Sequence, residues 1–106
     1  MEIKLWIDDI RPAPEGMYWT ARSVNEAKSF IQQFEDGIFS PFHSFELIDI
    51  DHDAGDYAED GGDYIKLLDW LEETGRNYPI RIHSMNPVGV ENMRRIIQKN
   101  GWTEVR

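Results

Sequence analysis

The sequence predicts an α/β fold built on a mostly parallel sheet, and three observations support this. Short apolar runs rich in β-forming residues alternate with segments whose apolar residues recur at helical spacing. The runs are bounded by glycine, proline or acidic residues, as buried strands usually are. The chain of 106 residues has no internal boundary, so a single domain over residues 1–106 is expected.

The strands are predicted from the apolar runs. The clearest run covers residues 3–7 and ends in two aspartates, and another follows at residues 17–21. A short loop with two prolines joins them, whereas a parallel crossover usually needs about a dozen residues or more. The connection is therefore either a hairpin-like return or a crossover that has lost its helix. Further strands are expected at residues 45–50, 79–82 and 102–105.

Three amphipathic helices are expected beside these strands. Ser23 and Glu26 have the spacing of a capping box at the start of the first helix. The second is expected within residues 64–75, and the third within residues 86–101, where an Asn-Pro pair favours a helix start. Strands that alternate with helices in this way predict a sheet covered by helices on both faces.

Composition limits the possible partners. The formal net charge is −9, which disfavours duplex nucleic acid and anionic membranes. A short anionic substrate remains open, because a bound cation reverses the local charge. The chain contains no cysteine, which excludes disulfides and thiolate metal sites. The N-terminal residues do not resemble a signal peptide and no apolar stretch is long enough to span a membrane, so we expect a cytoplasmic protein.

Polar residues follow three of the predicted strands at their ends. These segments are 8–9, 51–53 and 83–86. In open parallel sheets, ligands bind beyond the carboxyl ends of the strands. If the three strands are parallel, the three segments meet at one edge, and we expect a functional site there.

Carboxylates dominate this predicted site. Asp8 and Asp9 are adjacent, and neighbouring carboxylates repel each other unless a cation binds. Together with Asp51 they form the oxygen ligands that Mg²⁺ or Mn²⁺ prefers. Asp51 also suits a nucleophile or a general base. The alternative is that these aspartates only stabilise turns. Asp49 is a charge inside an apolar strand and needs a partner or an edge position.

The other candidates are residues that handle protons or phosphate. His83 suits proton transfer near neutral pH, and Ser84 suits a hydrogen bond to an oxyanion. Asn86 opens a helix whose N-terminus favours phosphate. Arg11 either clamps a phosphate or forms a surface ion pair. His52 and Asp53 follow Asp51 and are candidates as well, although turns also favour these residue types. All of these residues are candidates because they lie at or just after the ends of predicted strands.

Three segments resemble the cyclic-phosphate-processing receiver domains. They are 5–12 (LWIDDIRP), 51–55 (DHDAG) and 82–89 (IHSMNPVG), and they occur in the family's order over nearly the whole chain. The resemblance implies a flavodoxin-type, receiver-like three-layer sandwich with a five-stranded sheet of order 2-1-3-4-5. It also implies that the activity is the processing of cyclic phosphates on RNA ends or nucleotides. Against ordinary receivers, the short link between the first two strands indicates that the first crossover helix is missing.

Ordinary receivers differ from this chain in an informative way. Their acidic pair corresponds to residues 8–9, their phosphoacceptor to Asp51 and their hydroxyl residue to Ser84. The lysine that follows their fifth strand has no counterpart here. The missing lysine and the missing first crossover helix argue against aspartyl-phosphate signalling. His52 and His83 favour acid–base chemistry on a phosphodiester instead.

Two functions remain open at this point. The first is a hydrolase for a cyclic phosphodiester, acting on a phosphate-containing small molecule or an RNA end. The second is a non-catalytic receiver-like module that binds a protein partner, with exposed aromatics such as Phe39 and Phe42. The predicted roles under the first are catalysis by Asp51, His52 and His83, substrate binding by Arg11, Asp53, Ser84 and Asn86, and a Mg²⁺ or Mn²⁺ ion on Asp8, Asp9 and Asp51.

Overall fold

The structure is a computed structural model that describes residues 2–16, 18–37 and 44–106. Phe39 and Phe42, which the binding-module hypothesis uses, lie outside the described residues, as does Met17 at the start of the predicted second strand. No helix in the described part is long and apolar enough to cross a membrane. The elements are β1 (Glu2–Ile7), β2 (Tyr18–Ala21), α1 (Val24–Glu35), β3 (Ser44–Ile50), a 3₁₀ helix (Gly55–Glu59), α2 (Ile65–Glu73), β4 (Ile80–Ile82) and α3 (Pro87–Asn100).

The four strands form one parallel sheet of order β2-β1-β3-β4. This is an α/β receiver-like arrangement, but the predicted count of five strands is not confirmed. The segment 102–105 contributes a single parallel bridge, between Ile80 and Glu104. Its hydrogen bonds are Ile80 N–H to Thr103 O and Val105 N–H to Ile80 O. Because β4 is only three residues long, it offers few positions to which a fifth strand could pair.

The connection between β1 and β2 is a crossover without a helix. Because the two strands are parallel, a hairpin-like return is excluded. The described residues 8–16 contain bends and irregular chain but no helix. Trp6 Nε1 donates to Arg11 O at 2.9 Å, and this bond ties the connection to the sheet. The predicted loss of the first crossover helix is therefore observed in this part of the chain.

All three helices pack against the same face of the sheet. Their buried apolar residues form one core cluster with strand residues such as Leu5, Ile7, Ile48 and Ile80. Within the described residues, the expected third layer of helices on the other face is absent. The lost crossover helix explains part of this difference, because an irregular loop takes its place. The core residues that the helices contribute are Val24, Ala27, Ile31, Leu67, Leu68, Leu71, Met93 and Ile97.

The helix ends follow the sequence signals. Ser23 caps α1 with its Oγ, which accepts from Glu26 N–H at 3.0 Å. Asn86 caps α3, and its Oδ1 accepts from Gly89 N–H at 3.0 Å. Gly101 ends α3 in the left-handed conformation, at φ 68°, which glycine adopts without strain. These caps fix where α3 begins and hence the position of its N-terminus at the carboxyl edge of the sheet.

The opposite face of the sheet carries polar and aromatic side chains. Strand residues alternate between faces, and Trp6, Tyr18 and Asp49 lie on the face away from the helices. Arg81 pairs in register with Asp49 and lies on this face too. The side chain of Asp49 is fully buried despite its charge. A buried carboxylate requires partners, and these belong to the site at the end of the strands.

Candidate functional site

Three carboxylates meet at the carboxyl edge of the sheet. Asp8 and Asp9 follow β1, and Asp51 follows the neighbouring parallel strand β3. Asp51 N–H donates to Ile7 O at 2.9 Å, which continues the strand pairing to the end of both strands. One oxygen from each aspartate lies within 4.8 Å of those of the other two. Asp8 and Asp51 are buried and Asp9 is half-buried, so this acidic cluster is an edge site rather than a solvated loop.

Asp8 is held by hydrogen bonds. Its Oδ1 accepts from Ile10 N–H and Arg11 N–H, each at 3.0 Å, and its Oδ2 lies 3.0 Å from His83 Nε2. Burial by itself would raise the pKa of Asp8, but these backbone bonds and the His83 contact lower the pKa below the usual 3.8. Arg11 Nε is 3.7 Å from the same Oδ2. Asp8 is therefore ionised at neutral pH.

Asp9 has the opposite electrostatic character. Burial raises its pKa above 3.8, and the charges of Asp8 and Asp51 raise it further. Gly55 lies against its carboxylate: a Cβ at Gly55 would be 2.4 Å from Asp9 Oδ2, and φ there is 57°. Only glycine fits this close approach without strain. The mutual repulsion of the three carboxylates is the condition that a bound cation relieves.

These opposite pKa shifts predict opposite effects on stability. An ionised Asp8 with a lowered pKa stabilises the fold above pH 4, and this contribution is lost as the pH falls through its folded pKa. The raised pKa of Asp9 means that its ionisation destabilises the fold, and this loss of stability develops as the pH rises from about 4 through the folded pKa. In EDTA at pH 7 we expect Asp8→Asn to lower Tm and Asp9→Asn to raise it. Thermal melts that shift in the same direction for both variants would contradict these electrostatics.

Behind the acidic cluster lies a fully buried tyrosine, Tyr64. Its hydroxyl donates to Arg22 O at 2.7 Å, and Arg22 Nη1 donates to Asp9 O at 2.9 Å. Burial raises the pKa of Tyr64 well above its usual value, and the negative charges of the cluster add to the shift. Tyr64 is therefore a neutral hydrogen-bond donor that fixes the backbone beneath the carboxylates.

His83 connects the cluster to the buried charge in β3. Its Nδ1 lies 2.6 Å from Asp49 Oδ1 and its Nε2 lies 3.0 Å from Asp8 Oδ2. Trp6 stacks flat on the imidazole, with ring centroids 3.8 Å apart and planes inclined by 3°. Tyr18 Oη and Arg81 Nη1 approach Asp49 Oδ2 at 3.2 and 3.4 Å. Asp49 thus has the partners that its burial requires.

The second histidine faces the start of α3. His52 Nδ1 lies 2.9 Å from Asp53 Oδ1 and 3.5 Å from Asn86 Nδ2. The ring packs on Gly89, where a Cβ would be 2.4 Å from His52 Cγ. Ser84 Oγ accepts from Asn86 N–H at 3.1 Å. These residues lie together at the N-terminus of α3, while His83 turns toward Asp8.

Two acidic residues between β3 and α2, Asp60 and Asp63, have a structural role. Asp60 Oδ2 accepts from Ser23 Oγ at 2.6 Å, and its Oδ1 accepts from Asn25 Nδ2 at 3.1 Å. Asp63 Oδ1 accepts from Ala54 N–H at 3.2 Å. Both side chains fasten the loop to its neighbours.

The structure separates the predicted residues into two neighbouring groups. The carboxylates predicted as metal ligands lie together with His83 and Arg11, and His52, Asp53, Ser84 and Asn86 lie at the start of α3. Sequence reasoning missed Trp6, Tyr18, Arg81 and Tyr64, which carry no local signal. Asp49 did carry one, because a charge in an apolar strand needs a partner.

The fold and the strand-end carboxylates define a receiver-like domain with an acidic edge site. The family model of the cyclic-phosphate processing receiver domain matches residues 3–99. The chain belongs to this family. Comparisons with curated proteins and with solved structures find no match.

The acidic cluster fits a hard divalent cation. Its three oxygens come from carboxylates, which Mg²⁺ and Mn²⁺ prefer. Burial raises the pKa of Asp9, the charges of Asp8 and Asp51 raise it further, and a bound cation relieves this repulsion. Asp8 Oδ1 accepts from two backbone N–H groups, whereas Oδ2 has one hydrogen-bond contact, with His83 Nε2, and so keeps capacity for a further partner. Asp8, Asp9 and Asp51 could therefore hold a metal ion.

Proposed function

We propose that this domain is a hydrolase that opens a cyclic phosphodiester on a nucleotide or an RNA end. The observation that carries the proposal is the acidic cluster, whose three carboxylate oxygens lie within 4.8 Å at the ligand-binding edge of the sheet. The family to which the chain belongs is described by cyclic-phosphate processing. The receiver-like class of the domain is established, and the hydrolytic activity is the proposal.

The reaction requires a nucleophile, charge neutralisation and two proton transfers. Water attacks phosphorus, one P–O bond forms, and one P–O bond of the ring breaks. A base takes the proton of the water, and an acid gives a proton to the leaving alkoxide, so the product is a phosphate monoester with a free hydroxyl. A divalent cation, when bound, would neutralise charge and polarise the phosphoryl oxygens.

Asp8, Asp9 and Asp51 would hold this Mg²⁺ or Mn²⁺ ion. Asp51 has a second task in this proposal, the acceptance of a proton from the attacking water, because among the three clustered carboxylates it is the one adjacent in sequence to His52.

Arg11 and the start of α3 would bind the phosphate. The Arg11 side chain is about half exposed and lies beside Asp8, so its guanidinium can reach a phosphate without leaving the site. The N-terminus of α3 adds a partial positive charge. Asn86 and Ser84 shape this turn. Asp53 would act on the substrate indirectly, through the His52 ring to which it is bonded.

His52 is the better candidate for proton transfer. Asp53 engages its Nδ1, while its Nε2 makes no hydrogen bond to a described residue, and the side chain is 15% exposed. His83 was predicted to share this role, but both of its ring nitrogens face carboxylates and its side chain is 8% exposed. We therefore assign the proton-transfer role to His52 and a different role to His83.

The substrate would be small or single-stranded. The net charge of −9 opposes a long polyanion, so duplex nucleic acid and membranes are not expected partners. A mononucleotide or an RNA end brings few charges, and the local cation would offset them. A cytoplasmic location would give access to both substrates and to millimolar Mg²⁺.

Cation binding predicts a measurable stabilisation. A ligand that binds only the folded state adds about 2.7 kcal/mol at 100 times its Kd. We expect Mg²⁺ and Mn²⁺ to raise Tm in a concentration-dependent way, and EDTA to reverse the shift. Asp9→Asn should abolish the shift, whereas Asp56→Asn should keep it, because Asp56 is exposed in the 3₁₀ helix and lies outside the cluster. Melts unchanged by either metal would remove the cation from the proposal.

The activity is tested on a panel of 2′,3′-cyclic and 3′,5′-cyclic nucleotides and short RNAs with a cyclic-phosphate end. Each is incubated with Mg²⁺, Mn²⁺ or EDTA, and the products are separated by ion-exchange chromatography. We expect the wild type to open at least one substrate class with metal, and His52→Ala to reduce the rate by about 10²–10⁴. No turnover on any substrate with either metal would overturn the hydrolase.

A binding module is the second candidate, and exposed apolar residues favour it. Ile10, Met85 and Val88 are 80%, 84% and 69% exposed, and all three belong to segments at the carboxyl edge of the sheet. Exposed apolar side chains that cluster around a site are typical of interaction surfaces. If the substrate panel gives no product, recognition of a protein partner at this edge becomes the leading function.

A further inference from the structure

The contacts of His83 differ from those of a group that shuttles protons. Nδ1 is 2.6 Å from Asp49 Oδ1, and Nε2 is 3.0 Å from Asp8 Oδ2. A carboxylate accepts hydrogen bonds and does not donate them when it is ionised. Both ring nitrogens are therefore engaged by carboxylates of the protein, and neither faces water or a substrate.

The surroundings also fix the ring in place. Trp6 covers one face at a centroid distance of 3.8 Å, and the side chain is only 8% exposed. Asp49 is itself held by Tyr18 and Arg81. The ring can neither rotate freely nor approach a ligand in solution, so its effect on chemistry has to pass through Asp8.

We propose that His83 is a positioning residue, which Asp49 and Trp6 orient so that its Nε2–H holds Asp8 in the geometry needed at the acidic cluster. The inference rests on the proposed function only where it predicts cation affinity. Partners that orient a metal-binding carboxylate typically contribute 10–100-fold to affinity. The Asp49–His83–Asp8 chain is such an arrangement, since Oδ1 of Asp8 is already fixed by the amides of Ile10 and Arg11.

Two isosteric substitutions separate positioning from proton transfer. The side-chain nitrogen of a glutamine at position 83 falls near the imidazole Nε2, so His83→Gln keeps a donor to Asp8 but cannot carry a proton. The side-chain nitrogen of an asparagine falls near Nδ1, so His83→Asn keeps only the contact with Asp49. Positioning predicts that His83→Gln holds Asp8 as the wild type does, although it loses the contact with Asp49, and that His83→Asn does not hold Asp8.

The first readout needs neither a metal nor activity. The amides of Ile10 and Arg11 report on Asp8, because both donate to its Oδ1. In ¹H–¹⁵N spectra recorded in EDTA, we expect their hydrogen exchange to be near the wild-type rate in His83→Gln. In His83→Asn it should be about tenfold faster or more. Loss of protection in His83→Gln would overturn the inference, and so would equal protection in both variants.

The second readout is a Mn²⁺ titration followed by electron paramagnetic resonance. We expect His83→Gln to bind Mn²⁺ about tenfold more tightly than His83→Asn. Equal affinities in the two variants would overturn the positioning of the cluster by His83. Absence of Mn²⁺ binding in the wild type would count against the cation of the proposed function, and the amide exchange would then decide the inference on its own.

Discussion

Asp51→Asn is expected to abolish hydrolysis of a cyclic phosphodiester while it leaves the domain folded. The substitution removes one of three carboxylates that lie within 4.8 Å of one another. It weakens the cation site and also removes the candidate base. Loss of an outer partner of a metal site costs 10–100-fold, so loss of a direct ligand should cost at least about 10²-fold in kcat/KM.

The matched control is Asp56→Asn, an equally conservative change on the same loop. Asp56 is exposed and lies outside the acidic cluster. Both variants lose one negative charge, so any effect of net charge alone would be shared. Initial rates with saturating Mn²⁺ separate the two variants, and equal rates would remove Asp51 from the site.

Asp49→Ala is expected to have the largest effect on stability. The carboxylate is fully buried and bonded to His83, Tyr18 and Arg81. Removal of one partner from a buried charged network typically costs about 3–5 kcal/mol. Such a loss is a large part of the 5–15 kcal/mol that stabilises an ordinary domain. Urea denaturation in EDTA measures the free energy of unfolding without interference from cation binding.

Two further variants make this stability result specific. Glu46→Ala removes an exposed carboxylate from the same strand, and we expect it to change stability by less than about 0.5 kcal/mol. Asp49→Asn keeps the shape and supplies both an acceptor and a donor, so it should be milder than Asp49→Ala. Equal unfolding free energies for Asp49→Ala and Glu46→Ala would contradict the buried network.

The fold was predictable from local sequence patterns, except for the features that long-range packing determines. Ser23 with Glu26 and Asn86 with the following proline gave the helix starts, because caps act within one turn. Helical periodicity identifies an apolar side but does not say which face of the sheet receives it. The layer arrangement and the single bridge at Glu104 therefore emerged only in three dimensions.

The acidic cluster was predictable for a topological reason. Polar residues that directly follow parallel strands converge at one edge, which brought Asp8 and Asp9 to Asp51. The role of His83 was not predictable from the sequence, because it depends on the direction in which the side chain points. His83 turns to the face that carries Trp6 and Asp49, and Asp49 is 34 positions away in sequence. No local signal connects residues at that separation.

The most direct measurement is ³¹P NMR of the reaction product formed in ¹⁸O-enriched water. The substrate is the cyclic phosphate that turns over fastest in the panel, incubated with Mn²⁺ and the wild type, Asp51→Asn or Asp56→Asn. Hydrolysis at the acidic cluster predicts a phosphate monoester with one ¹⁸O atom on phosphorus for the wild type and Asp56→Asn, and unchanged substrate for Asp51→Asn. Unchanged substrate with the wild type would contradict hydrolysis at the acidic cluster, and so would as much product with Asp51→Asn as with the wild type.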